Sequence, residues 1–165
     1  MNAAGLNTES GTLNDGHIAE EIIQTREFLA HLLKFPGVWP ALMATEGYDP
    51  TSKKIIFDEN IYNLEDQDWV GGKEGTPTFL ATYKEYRRNV LGLKYDRSMG
   101  FLRLSVSHMS PEFSKEFADL IIKEVNVPSI KSISFRYFTF LITTLTYKCS
   151  TKRTRYHCDF SILSN

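Results

Sequence analysis

The chain has 165 residues, 42% of them apolar and 13% aromatic, with a formal net charge of −1. That length supports one domain with a sizeable core, and the apolar and aromatic content excludes wholesale disorder. The near-neutral balance argues against a polyanion or an anionic membrane surface as partner, so no nucleic acid is expected.

Residues 1–16 are small and polar, with Gly5, Gly11 and Gly16, and read as a flexible N-terminal segment without the basic start and apolar stretch of a signal peptide. A helix is expected from Asp15 as cap, with Ile18, Ile22, Leu29, Leu32 and Leu33 on one stripe that Thr25 interrupts. Pro36 and Gly37 end it, and a short helical piece, "VWPALMAT", follows. From Glu46 to Thr76 the chain is glycine-rich and loop-like, with "KKIIF" and "IYNL" as short strands. Thr76-Pro77 then predicts a helix, Thr76 as cap and Pro77 at its first position, running to about Arg88 with Phe79, Tyr83 and Tyr86 on its apolar side.

A hairpin is next. "NVLGLKY" and "GFLRLSVSH" flank "DRSM", with Leu91, Leu93 and Tyr95 sharing a face of one strand and Leu102, Leu104 and Val106 sharing a face of the other. Arg103, Ser105 and Ser107 then face water. At Ser110-Pro111 the period changes from two to 3.6: Ser110 caps, Pro111 starts the helix and Glu112 meets its positive end. Phe113, Phe117, Leu120, Ile121 and Val125 form its buried stripe, with Ser114 and Ala118 permitting close approach to the sheet. The expected fold class is α/β in the α+β sense, a small mixed sheet with a β-hairpin packed by amphipathic helices.

Beyond Asn126 the composition changes. Residues 1–127 carry 19 acidic and 13 basic side chains, a net of −6, whereas 128–165 carry one acidic residue, Asp159, and six basic ones, a net of +5. This basic, aromatic-rich tail contains "SFRYFTFLITTLTY", a stretch of strand propensity and the profile of an aggregation-prone segment. Its longest uncharged run, Tyr137 to Tyr147, falls short of the roughly 18 apolar residues of a membrane helix. Three readings apply to the tail: an edge strand with a basic end for an anionic partner, a zinc site from Cys149, His157 and Cys158, or a segment foreign to the original domain after a frame change or truncation. The zinc spacing matches no usual ligand pattern, and two cysteines are too few for a disulfide scaffold.

Three ordered stretches carry a family resemblance: "QTREFLAHLLKFPGVWPALMATEGYDPTSKKI", "IYNLEDQDWV" and "PTFLATYKEYRRNVLGLKYDRSMGFLRLSVSHMSPEFSKEFADLIIKEVN". Together they resemble the periplasmic base domain of the chain length determinant family, the bacterial polysaccharide co-polymerases, over about residues 17–126, which sets the expected domain at 17–127. The resemblance implies a non-catalytic scaffold regulating the chain length of a lipopolysaccharide O-antigen or capsule. It also implies self-association into a homo-oligomer, a polymerase and its nascent polysaccharide as partners, and a place on the periplasmic side of the inner membrane. The membrane helices that flank this domain in the family are not recognisable in the sequence, so membrane attachment would come only through anchors outside it, and the tail at 128–165 departs from the family's long charged helix.

No catalytic, cofactor-binding or metal-binding residues and no cofactor are expected. The alternative is a small soluble enzyme or ligand-binding domain using His108 with the acidic loop of Asp58, Glu59, Glu65, Asp66 and Asp68. That loop lacks the alternating order of a calcium site, and no nucleophile elbow precedes His108. His31, four residues after Glu27, reads as a surface ion pair. Tyr83, Tyr86 and Tyr95 read as core or rim rather than a stacking platform.

Overall fold

The computed structural model describes residues 11–96, 98, 101–126, 146–152 and 155–162, with side chains from residue 17 to 96, at 98 and from 102 to 126. Of the segment expected to be flexible at residues 1–16, residues 11–16 are helical instead, while residues 1–10 and residues 134–145 of the strand-prone stretch lie outside the described residues.

The first expected helix is two. α1 (Gly11–Ile23) and α2 (Arg26–Leu32) are separated at Thr25, whose backbone is extended. Its hydroxyl donates to the Ile22 carbonyl at 2.8 Å and accepts from the Phe28 N–H at 3.1 Å, so one side chain closes one helix and caps the next. The start lies at Gly11, before the expected Asp15. α3 (Val38–Met43) follows Gly37, which sits at a φ of 80° that favours glycine.

The loop-like stretch folds into two small antiparallel ribbons, β1 (Thr45–Asp49) with β2 (Lys54–Phe57), and β3 (Tyr62–Asn63) with β4 (Asp68–Trp69). Thr76 does not cap the next helix. It follows α4 (Gly72–Gly75) and its hydroxyl donates to the carbonyl of Gly72, the first residue of that turn, and Thr78 is the cap of α5 (Phe79–Glu85), accepting from Ala81 N–H at 3.2 Å. Two threonines flank Pro77, and the later one wins because the earlier is already engaged. α5 passes into a π-helical turn, Tyr86–Val90, which keeps both of those side chains buried.

The hairpin forms as expected. β5 (Leu91–Asp96) and β6 (Phe101–His108) pair with Leu91 opposite Val106, Leu93 opposite Leu104 and Tyr95 opposite Leu102, so the apolar positions share a face. Ser110 caps α6 (Pro111–Val125), its Oγ accepting from Phe113 N–H at 3.1 Å. The tail supplies β7 (Thr146–Lys152) and β8 (Arg155–Ile162), giving a four-stranded sheet in the order β5-β6-β8-β7. The class is α+β, and the described pairings are all antiparallel rather than mixed.

α1 and α6 pack on the face of this sheet that carries Leu102, Leu104 and Val106, all fully buried. Phe117, Ala118 and Ile121 of α6 and Ile23, Leu29 and Leu32 of the first two helices complete the core. Arg103 on the other face is exposed. None of the helices among the described residues is long and apolar enough to cross a membrane.

Candidate functional site

The strand-to-helix corner holds a compact polar arrangement. His108 closes β6 and is buried; its Nε2 lies 2.9 Å from the Ala41 carbonyl, and its Nδ1 accepts from the Ser110 N–H at 3.1 Å. The N–H can only donate and the carbonyl can only accept, so the neutral ring with its proton on Nε2 satisfies both. The Phe113 ring lies 4.5 Å from the imidazole. Beyond the corner, Glu112 is hydrogen-bonded by the Tyr48 hydroxyl of β1, which holds its carboxyl below the ordinary glutamate range, assisted by its own backbone N–H and by Ser110. Both ring nitrogens of His108 thus serve main-chain groups that join α3 to β6 and α6. His108 neither lies open to solvent nor presents a free nitrogen to a substrate proton.

The acidic loop is also turned on itself. Asp58 accepts from Asn60 N–H at 2.9 Å, Asp66 accepts from Asn63 Nδ2 at 2.7 Å, and Asp68 accepts from Trp69 N–H at 2.8 Å. Each bond stiffens its own turn, while Glu59 and Glu65 are exposed. Among the described residues, no three His, Cys, Asp or Glu side chains converge as metal ligands would. The residues of the zinc reading, Cys149, His157 and Cys158, lie on β7 and β8, with Cys149 paired with Cys158 in the strand register.

His31 does not pair with Glu27. Its Nε2 lies 2.6 Å from Oε2 of Glu124, tying α2 to the end of α6, and the Glu124 side chain is only 7% exposed. Sequence reading missed this contact because its partners lie far apart in the chain; the one available signal was a glutamate beside the apolar stripe of α6. The tyrosines are dispersed. Tyr86 is fully buried and donates to the Ile23 carbonyl at 3.0 Å, and burial pushes its phenol far above the usual range. Tyr83 donates to Gln24 at 2.8 Å, whereas Tyr95 stacks on His17.

Among the described residues, aromatic and exposed apolar side chains lie around the ribbons. Trp39, Tyr62 and Trp69 form an edge-to-face cluster with ring centroids 5.3–5.8 Å apart, and Trp39 Nε1 donates to Thr82 of α5 at 3.0 Å. Ile56 of β2, Leu64 of the β3–β4 turn, Val70 after β4 and Leu80 of α5 are 48%, 61%, 43% and 49% exposed. They sit in a segment rich in acids, which gives it apolar side chains with a charged surround.

No family model, curated protein or solved structure matches the chain.

Proposed function

We propose that the chain is a non-catalytic, self-associating scaffold that regulates the length of a bacterial surface polysaccharide, O-antigen or capsule, together with its polymerase on the periplasmic side of the inner membrane. The observation that carries this reading is the ordered resemblance to the chain length determinant base domain. Its first and third stretches supply the main core, Phe28, Leu29 and Leu32 from one and Tyr86, Leu104 and Ile121 from the other. Two further observations support it. His108, the ring on which the enzyme alternative depends, is committed to the main chain. The exposed apolar side chains of β2, the β3–β4 turn and α5 suit contact with a neighbouring copy.

The test has two arms. Sedimentation of the full chain over a wide concentration range should show reversible association, weak because membrane anchors contribute none of it. The double variant L64E/V70E should weaken that association about tenfold or more. Expressed with membrane anchors in a bacterium lacking its own chain length regulator, the domain should convert a broad O-antigen ladder into a modal one. A monomer at every concentration together with an unchanged ladder would overturn the reading.

A further inference from the structure

The β7–β8 hairpin carries both cysteines of the chain. Its register sets the backbone of Cys149 directly opposite that of Cys158, between the pairs Lys148↔Asp159 and Ser150↔His157. Opposed residues in an antiparallel pair have α-carbons about 4.5 or 5.5 Å apart, depending on whether they exchange ladder hydrogen bonds. Disulfides span α-carbon separations of about 4.4–6.8 Å, so either kind of pair falls within range. Opposed positions also belong to one sheet face, and a shift by a single residue transfers a side chain to the other.

We propose that Cys149 and Cys158 are a thiol–disulfide pair that closes this hairpin when a small-molecule disulfide oxidises it. The thiolate of one cysteine attacks a sulfur of oxidised glutathione, whose S–S bond breaks and releases one glutathione thiolate. The second cysteine's thiolate then attacks the mixed disulfide at the protein sulfur and expels the other glutathione. The two cysteines lose two electrons and two protons, and these leave as two glutathione thiols. β7 is the outer strand and β8 is bonded to β6, so closure fastens the edge of the sheet to its interior. The inference rests on strand register and is independent of the scaffold reading.

The full chain, equilibrated in glutathione redox buffers, quenched with iodoacetamide, digested and read by mass spectrometry, tests it under native conditions and in denaturant. The expected result is an intrachain Cys149–Cys158 bond whose equilibrium constant is about tenfold or more larger in the native chain. The variant C149S/S150C, which moves one thiol to the neighbouring position, should lose that native advantage. Equal constants in the two conditions, equally ready closure in the shifted variant, or cross-linked dimers in place of the intrachain bond would each overturn the proposal. The wild-type comparison needs no substitution, so a shifted variant that fails to fold leaves the first measurement decisive.

Discussion

At the scale of single residues, a histidine held between a main-chain donor and a main-chain acceptor has its tautomer chosen by its neighbours. In His108→Ala the Ser110 N–H loses its partner in a buried corner and the Ala41 carbonyl loses one of its two, keeping the Thr45 hydroxyl. Urea denaturation should show a loss of about 2–3 kcal/mol. His108→Asn, whose amide oxygen can still accept from Ser110, should recover part of it. Gly75 is constrained differently: an added Cβ would stand 1.7 Å from the Val70 carbonyl oxygen. Gly75→Ala should therefore shift the ribbon preceding it, visible as changed amide resonances for β3 and β4 with the resonances of the β5–β6 hairpin unmoved. None of this was legible in the sequence. His108 and Gly75 were visible as residue types, but their neighbours are main-chain groups, and the sequence does not say which main-chain groups will be near.

At the scale of elements, the parts that were legible are those specified by their own neighbours. The β5–β6 register follows from a two-residue period on both sides of a short turn, and α6 follows from Ser110, Pro111 and a clean apolar stripe. Ser110→Ala removes the cap on Phe113 N–H and should cost about 1 kcal/mol of unfolding free energy by the same denaturant assay. Glu112, next along, gives a pH dependence. Its carboxyl is held below the ordinary 4.5 by the Tyr48 hydroxyl first, so the folded state binds its proton more weakly than the unfolded state does. That stabilisation is complete above the unfolded value and fades as pH falls from about 4.5 through the folded value. Thermal melts between pH 6 and 3 should lose part of their acid decline in Glu112→Gln, and a matching loss in Tyr48→Phe would assign it to this bond. The elements misread were those with competing local signals. Thr76 and Thr78 are both good caps around Pro77, and Thr25 within an apolar stripe reads as an interruption until its hydroxyl is seen bridging two helices.

At the scale of the whole molecule, the compositional break after Asn126 does not coincide with a break in the sheet. β8 lies beside β6 with Val106 opposite Cys158, so a strand from the basic, compositionally distinct tail borders the central strand of the core. Composition could not reveal this, because pairing partners across a sheet are chosen by edge geometry and not by charge. A chain ending at Asn126 would leave the second edge of β6 unpaired, and light scattering should show it associating irregularly where the full chain does not. Should the shortened chain stay as dispersed as the full one, the tail contributes little to protecting that edge.

The position of β6 also bears on the order of events during synthesis. Its first neighbour, β5, leaves the ribosome just ahead of it, but β8 emerges only after α6 and all the residues up to 154 have been made. Through that interval the strand is finished on one flank and open on the other. A nascent chain is then most susceptible to wrong pairing, and a pause in translation before residue 155 would lengthen the exposure.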